Sequence, residues 1–305
     1  MVMGNWSLRE AVFLLGAVKD QIVEDRVLAV SAGVTFYALL AVFPALTALI
    51  SLFGLLAAPA QVPGLVAQVA GAMPVEAATL LTEQATRIAA KADGTLSLAA
   101  LVAVALALWS ANGGTKALIE ALGIAHDVPE QRGFLRLTLV ALAFTLGAMV
   151  LVPLLALIVA GLPVMLEGVM GGGMAETVML VLRWPLLAAI LLGMIAVIYH
   201  WGPDRRAGAF HWISPGAVVA VVGLIATSAG LGWYTASFGS YDETYGSLAA
   251  VVVLMLWIWL STAMVLIGAE LNAELDRRSG RRGDAAARGG FSLPAVPRAG
   301  IGRAS

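Results

Sequence analysis

The sequence contains no cysteine, only three histidines and few charged residues. The lack of cysteine excludes disulfides, thiolate catalysis and zinc–thiolate sites, and it leaves the redox compartment open. Charged residues make up 12% of the 305 residues, whereas soluble domains carry about 25%. Hydrophobic residues make up 60%, and the mean hydropathy is +0.92. This composition predicts an integral membrane protein.

The chain also lacks a residue pattern for metal-dependent hydrolysis. A metal-dependent nuclease needs clustered His, Asp or Glu side chains that hold divalent ions, but His126, His200 and His211 belong to no such cluster in the sequence. No basic segment with interleaved aromatic residues, of the kind that binds RNA, is present. We therefore expect no catalytic residue, no metal, no cofactor, no specific nucleic-acid partner and no enzyme activity.

Six long apolar stretches predict membrane-spanning helices. A helix needs about 20 apolar residues to cross a hydrocarbon core of about 30 Å. Apolar residues run continuously instead of alternating, which favours helices over barrel strands. The predicted spans cover about residues 27–56, 95–115, 137–163, 184–201, 213–238 and 244–269. The predicted fold class is an all-α polytopic membrane protein.

Lysine and arginine are unevenly distributed between the two sides that six spans create. Three of the 18 lie on one side, at Arg87, Lys91 and Arg183. The other fifteen lie in the N-terminal segment, the connections after the second and fourth spans, and the C-terminal segment. The positive-inside rule then places both termini in the cytoplasm.

The chain divides into three predicted parts. Residues 1–26 form an amphipathic helix that either lies on the cytoplasmic membrane surface or packs against the bundle. Residues 27–278 form the membrane domain, in which Pro74 precedes a helical pattern over residues 75–91 that predicts a short outer-side helix. Residues 279–305 are rich in Arg, Gly and Ala, so we expect a disordered basic tail that associates with anionic lipid headgroups.

Three segments carry a resemblance to a known family. They are AGVTFYALLAVFPALTALISLFGLL (32–56), LWSANGGTKALIEALGIAHDV (108–128), and a C-terminal block with an aromatic-Gly-Ser-Tyr turn, YGSL and GAELNAE (268–274). Over residues 25–278 the chain resembles the YihY/BrkB family of bacterial inner-membrane proteins. The departures are modest: Ala41 and Val42 stand where the family often has Ser and Leu, and Asp242 or Glu243 where it often has Asn or Lys.

The resemblance implies a six-helix protein of the bacterial inner membrane. Members of the family have been linked with envelope homeostasis, with the movement of lipids or small solutes, and with serum resistance. An older label for the family is ribonuclease BN. The lack of a metal-binding cluster in the sequence argues against that label on chemical grounds.

Ionisable residues inside membrane spans are costly and require an explanation. Glu270, at the inner end of the last span, is the charged residue nearest the core of the predicted bundle. We expect it either to gate or couple transport, or to form an ion pair with Arg26 that fixes two helices.

Other polar or helix-bending residues extend a candidate polar path. Pro44 removes a backbone hydrogen bond and kinks its helix, although packing alone also explains it. Residues 109–116 (WSANGGTK) form either a helix break that faces a cavity or a plain span exit. The candidate path or gate comprises Thr35, Tyr37, Pro44, Asn112, Glu270 and Asn272.

A second candidate feature precedes the last span on the outer side. Residues 240–243 (SYDE) have the spacing of a capping box, and the neighbouring tyrosines fit an aromatic belt at the membrane interface. This outer turn comprises Tyr241, Asp242, Glu243, Tyr245 and Gly246.

These features favour a transporter or lipid-handling protein, with membrane lipids as partners and a lipid or small solute as the substrate. The alternative is a non-transporting scaffold for envelope assembly, which docks through the helix at 75–91 and the basic tail. A continuous polar cavity lined by Tyr37, Asn112 and Glu270 would favour transport, and a filled apolar bundle would favour the scaffold. The sequence leaves the substrate, the coupling ion and the oligomeric state open.

Overall fold

The computed structural model describes residues 8–56, 63–64, 73–90, 98–151, 172–204, 213–237 and 248–278. Over these residues the chain forms eight helices and no strand, which confirms the all-α class for the described part. The helices are α1 (Leu8–Glu24), α2 (Val27–Leu56), α3 (Val75–Ala89), α4 (Leu98–Ala125), α5 (Phe134–Leu151), α6 (Gly172–Trp201), α7 (Pro215–Ser237) and α8 (Leu248–Arg278). The predicted outer turn at 240–246 and the predicted basic tail at 279–305 lie outside the described residues.

Four of the six predicted spans are helices long and apolar enough to cross a membrane. They are Val27–Ser51 within α2, Phe134–Leu151, Pro215–Ser237 and Leu248–Arg278. The second and fourth predicted spans fall on α4 and α6, and α6 contains a shorter apolar stretch, Ala188–Trp201. The chain is thus a multi-pass helical membrane protein, while the count of six crossings stays a prediction.

Helix α4 continues ten residues beyond the predicted end of the second span. It runs without interruption through Asn112, Gly113 and Gly114 to Ala125, so the alternative of a helix break at this point is wrong, while the alternative of a span exit stays a prediction. Where water is excluded, the backbone N–H and C=O groups must bond to each other, so a helix continues through polar side chains. Lys116 therefore lies within α4, where its Nζ sits 4.7 Å from the ring centroid of Phe134 in a cation–π contact.

Helices α2, α4, α6, α7 and α8 share one apolar core. Leu122 of α4 and Leu266 of α8 are almost completely buried at its centre. Small residues from α7 and α8, Ala217, Ala220 and Ala269, fill the space between them. Because all five helices contribute to this core, the core holds together the helix ends that lie next to it.

Glycines allow α7 and α8 to pack closely against each other. A Cβ atom at Gly216 would overlap the carbonyl oxygen of Gly268, and a Cβ atom at Gly223 would lie 2.7 Å from Sδ of Met264. Small residues permit this close backbone approach between membrane helices. The last turns of α8 consequently lie beside the N-terminus of α7.

Four segments of the chain meet at one end of the bundle, which we call the α1 end. It comprises the α1–α2 turn, the α4–α5 connection (residues 126–133), residues 202–204 after α6, and the last turns of α8. Arg277 Nη2 lies 3.0 Å from Oδ2 of Asp127, and Arg132 Nη2 donates to the carbonyl oxygen of Gly202 at 2.6 Å. Arg132, Arg277 and Arg278 are thereby gathered at one end.

Helix α3 packs on the bundle through one face. Ala77, Leu81 and Ala85 are buried at a spacing of one helical turn, which places them on the same side of the helix. Their partners include Leu254, in the half of α8 remote from the α1 end. The predicted helix at 75–91 is therefore confirmed as Val75–Ala89, and its location on the outer side stays a prediction.

Helix α2 presents an apolar face that the described parts of the chain leave uncovered. Phe36, Leu40 and Phe43 follow one side of the helix and are 57%, 55% and 38% exposed. Soluble monomers rarely expose large contiguous apolar patches. Such a face is suited to contact with lipid chains.

Candidate functional site

Glu270 is the ionisable residue that the fold buries most completely. It lies on α8 near the α1 end with 0% of its surface exposed. Neither carboxyl oxygen has a hydrogen-bond partner among the described residues. Burying a charged group without hydrogen bonds or a counterion is costly, and such a group tends to become neutral instead. This residue therefore requires a functional or an electrostatic explanation.

Three charged residues surround Glu270: Asp25 of the α1–α2 turn, Asp127 of the α4–α5 connection, and Arg277 two turns along α8. The carboxyl group of Asp25 approaches that of Glu270, although no hydrogen bond of acceptable geometry joins them. The expected partner Arg26 is instead exposed, with a left-handed backbone at φ 49°. The predicted ion pair between Glu270 and Arg26 is therefore absent from the described residues, and Arg277 is a cation whose charge acts on Glu270 without pairing with it.

Arg277 connects three elements at the α1 end. Its Nη1 donates to Oε1 of Gln21 on α1 at 2.6 Å, and its Nη2 lies 3.0 Å from Oδ2 of Asp127. A further ion pair with Glu274 on α8 has a distance of 3.7 Å. The guanidinium group has five donors in a fixed plane and so can hold several partners at once. Arg277 thus fixes α1 and the α4–α5 connection relative to α8.

Asn272 has a structural role at the start of α7. Its Oδ1 accepts a hydrogen bond from the backbone N–H of Gly216 at 2.9 Å, and its Nδ2 donates to Oγ of Ser214 at 2.9 Å. Ser214 Oγ also accepts from the N–H of Ala217. The first N–H groups of a helix lack intrahelical partners, and this pair of side chains satisfies two of them.

Arg132 holds the α4–α5 connection to the residues after α6. Its Nε and Nη2 donate to the two carboxyl oxygens of Glu130 at 2.8 and 2.5 Å, and Nη2 also donates to Gly202. Hydrogen bonds from Arg132 to Glu130 lower the pKa of Glu130 below its usual value, against the opposing effect of burial. Asp204 adds a longer ion pair with Arg132 at 3.8 Å.

Other buried polar side chains lie between the helices. Thr35 Oγ1 donates to the backbone oxygen of Ser31 at 2.7 Å, and Ser31 is itself completely buried. Asn112 Nδ2 donates to the backbone oxygen of Thr138 on α5 at 3.2 Å. The Oγ of Ser31 and the Oδ1 of Asn112 have no hydrogen-bond partner among the described residues, so both could accept a polar ligand or water.

The remaining predicted path residues lie apart from this site. Tyr37 is 52% exposed, and its ring centroid lies 5.5 Å from that of Phe36, which is also exposed on α2. Pro44 lies within α2, which continues through it to Leu56. A continuous path that includes all six residues stays a prediction, because Asn112 faces α5 whereas Glu270 and Asn272 lie at the α1 end.

Asp25, Asp127 and Arg277 were not predicted as parts of the site. Each lies immediately outside a helix end or in a last helical turn, and each is charged. Grouping the charged residues by the bundle end that their span predicts would have placed all three at the same end as Glu270.

Among the described residues, no group of three or more His, Cys, Asp or Glu side chains could hold a metal ion. The arrangement is suited to holding a proton or exchanging an ion pair.

Comparison with known proteins gives a family and several relatives. The family model described as Virulence factor BrkB matches residues 18–290. A protein of Bacillus subtilis (strain 168) named ribonuclease-like, YfkH, is 31% identical over 255 residues, which are 81% of this chain and 90% of the relative. A UPF0761 membrane protein of Methylibium petroleiphilum is 27% identical over 266 residues, which are 85% of this chain and 61% of the relative.

Shorter matches cover the same family. A UPF0761 membrane protein of Alteromonas mediterranea is 41% identical over 80 residues, which are 26% of this chain and 27% of the relative. The chain thus spans most of YfkH but less than two thirds of the two UPF0761 proteins. No solved structure matches the chain. Since the family model covers residues 18–290, nearly the whole sequence, the resemblance to YihY/BrkB proteins is confirmed and the chain belongs to the Virulence factor BrkB family.

Proposed function

We propose that this protein is a transporter or lipid-handling protein of the bacterial inner membrane that supports envelope homeostasis. The observation that carries the proposal is Glu270, an ionisable side chain that is completely buried without a hydrogen-bond partner among the described residues. Ionisable residues inside membrane domains are rare and commonly mark paths for substrates, ions or protons.

The surroundings of Glu270 support a moving part. Asp25 and Asp127 belong to the connections α1–α2 and α4–α5, and Arg277 bridges both α1 and the α4–α5 connection through Gln21 and Asp127. Arg277 and Arg132 each have two acidic partners, Asp127 and Glu274 for Arg277 and Glu130 and Asp204 for Arg132, so each arginine can exchange one partner for the other. Such exchange would allow the connections to shift as a substrate passes through or along the bundle.

The proposal places the α1 end in the cytoplasm. The positively charged segments gather at that end, as the positive-inside rule requires of cytoplasmic connections. The exposed apolar face of α2, with Phe36 and Leu40, would contact lipid chains. The partners under this proposal are membrane lipids, and the substrate is a lipid or a small solute.

Ribonuclease activity is not part of the proposal. The word ribonuclease-like appears in the name of YfkH, and it describes that protein. Nuclease activity would require acidic or histidine side chains that hold metal ions and activate water. Incubation of the purified protein with RNA and divalent ions tests this point, because metal-dependent cleavage that is lost in His200→Ala would overturn the proposal of a non-enzyme.

Reconstituted vesicles test the transport proposal directly. The purified chain is inserted into liposomes that contain a fluorescent phospholipid or trapped labelled solutes, and movement across the bilayer is followed with time. We expect movement of at least one substrate class above that of protein-free vesicles. Glu270→Gln should abolish most of it, because the amide cannot change its charge.

Glu83→Gln is the matched control. Glu83 lies on α3 with a side chain that is 57% exposed and in an i,i+4 pair with Arg87, so it has no contact with the proposed site. Equal rates in the two variants, or no movement of lipids, ions or compatible solutes by the unmodified protein, would contradict the proposal. In that case crosslinking through α3 to a stable envelope partner would favour the scaffold.

A further inference from the structure

We propose that Glu270 is a proton-binding site, whose carboxyl group takes one proton from water at the α1 end and holds it in the folded protein. The inference rests on the proposed function in one respect: it identifies the proton as the ion coupled to movement. The binding itself is a property of the folded chain and does not depend on any substrate. It adds one hydrogen ion to one carboxylate oxygen and changes the local charge by one.

The first argument is the environment of the carboxyl group. Glu270 is 0% exposed, its neighbours Ala269 and Leu266 are core residues, and neither oxygen has a hydrogen-bond partner among the described residues. A carboxylate in such a setting would lose its hydration without receiving hydrogen bonds in exchange. Protonation removes that penalty, because the neutral group is far cheaper to bury.

The second argument is the balance of charges that face Glu270. The α1–α2 turn contributes the carboxyl group of Asp25, and the α4–α5 connection contributes that of Asp127. Arg277, on the same helix as Glu270, pairs with Asp127, Gln21 and Glu274. Two acidic neighbours against one cation that is already shared favour the neutral form of Glu270, since like charges disfavour ionisation.

The helices α6 and α7 contribute no further charge to this balance in the described residues. On α6 the titratable group of the shared core is Tyr199, whose hydroxyl donates to the backbone oxygen of Val265 at 2.5 Å. On α7 the N-terminal turn at Gly216, which Asn272 caps, carries no charge. After the end of α4, His126 is buried beside Asp127, with its Nδ1 2.9 Å from the backbone oxygen of Leu122.

The third argument is a graded route to water. Glu270 is completely buried, the side chain of Arg277 is 23% exposed, and that of Asp127 is 41% exposed. The exposure of the side chains therefore increases from the buried carboxyl group of Glu270 towards the surface of the α1 end, where water supplies the proton. The guanidinium group of Arg277 does not lose its proton.

Proton release would change the contacts at the α1 end. An ionised Glu270 would attract Arg277, which is then drawn from Asp127 and Gln21. Both partners lie on other elements, namely the α4–α5 connection and α1. The protonated form thus keeps these elements docked on α8, and the deprotonated form loosens them. This gives a physical link between one proton and the position of two elements.

Infrared spectroscopy of the full-length protein in a detergent without ester or carboxyl groups tests the proposal. A protonated carboxyl group has a C=O stretching band that an ionised carboxylate lacks. At neutral pH we expect such a band, we expect it to shift when the protein carries ¹³C-labelled glutamate, and we expect Glu270→Gln to lose it. Glu274→Gln, one helical turn away on α8, should keep it.

The proposal is overturned if no protonated carboxyl band is present at neutral pH, or if the band persists in Glu270→Gln. The amide resembles the protonated acid in shape and charge, so the variant should fold with the thermal stability of the unmodified protein. A variant that fails to fold also contradicts the proposal. The ¹³C shift is measured in the unmodified protein, so it shows whether a glutamate is protonated even when the variant cannot be studied. Vesicles that show no transport would leave the band unchanged, so the two proposals fail separately.

Discussion

At the scale of single residues, the distance between α7 and α8 depends on glycine. Gly216 leaves no room for a Cβ atom, because that atom would overlap the carbonyl oxygen of Gly268. We expect Gly216→Ala to lower the stability of the protein by roughly 1–3 kcal/mol through overpacking. Thermal unfolding in detergent measures the change.

Gly230, on the same helix, is the control for this prediction. A Cβ atom there would meet no other atom within 4 Å, so Gly230→Ala should leave stability unchanged or raise it by up to about 1 kcal/mol through helix propensity. Equal losses in the two variants would show that the close approach of α7 and α8 does not contribute to stability.

The ion pair of Glu130 and Arg132 predicts a dependence on pH. Hydrogen bonds from Arg132 lower the pKa of Glu130 in the folded state, so ionised Glu130 stabilises the fold above its unfolded pKa. That stabilisation is lost as the pH falls through the folded pKa. Glu130→Gln should therefore cost about 1–3 kcal/mol near neutral pH and flatten the loss of stability on acidification. A Glu83→Gln variant should follow the unmodified protein, and an unchanged acid limb in Glu130→Gln would refute the role of the pair.

At the scale of helices, the docking of α1 depends on α8. Arg277 donates to Gln21, Arg278 Nη2 donates to the backbone oxygen of Phe13 at 3.3 Å, and Val18 of α1 is buried. Val12 and Phe13 remain exposed, so α1 packs on the bundle and still presents apolar side chains. The helix thus has features of both predicted alternatives.

Removal of the Arg277 side chain should release α1. We expect Arg277→Ala to raise amide hydrogen exchange throughout α1 and in the α4–α5 connection, because local opening follows the loss of the contacts that hold a segment. Arg87→Ala removes an exposed pair of 3.7 Å on α3, which should contribute little. Unchanged exchange in α1 after Arg277→Ala would contradict the bridging role.

Some helix limits could be predicted from the sequence and others could not. The limits of α2 and the start of α3 follow from local signals, because charges precede Val27 and a proline precedes Val75. The end of α4 does not, because Asn112, Gly113 and Gly114 are poor helix formers and the helix nevertheless continues through them to Ala125. The packing of the bundle overrides the local helix propensity at this point.

The site was predictable only in part for a related reason. Glu270 is notable in the sequence because it is an acid beside a long apolar run. Its neighbours Asp25, Asp127 and Arg277 come from distant parts of the chain, and the rotation of each helix about its axis decides whether they meet. The same rotation leaves the side chain of Tyr37 exposed and buries that of Thr35, although the two residues are close in sequence.

At the scale of the whole molecule, the fold is an apolar helix bundle with its polar contacts concentrated at one end. Family membership and four helices long enough to cross a membrane agree with this description. The account requires the α1 end to meet cytoplasmic water, since Glu270 would receive its proton there. Orientation in the membrane is therefore the claim on which the proposed function and the side of proton entry both depend.

Labelling of single cysteines tests that claim most directly, because the natural chain has no cysteine. Asp20→Cys lies on an exposed part of α1, and Glu83→Cys lies on the exposed face of α3. In intact spheroplasts we expect a membrane-impermeant maleimide to label the Glu83→Cys variant at once and the Asp20→Cys variant only after the membrane is permeabilised. The account is contradicted if Asp20→Cys is labelled in intact spheroplasts, or if neither variant is labelled until the membrane is permeabilised.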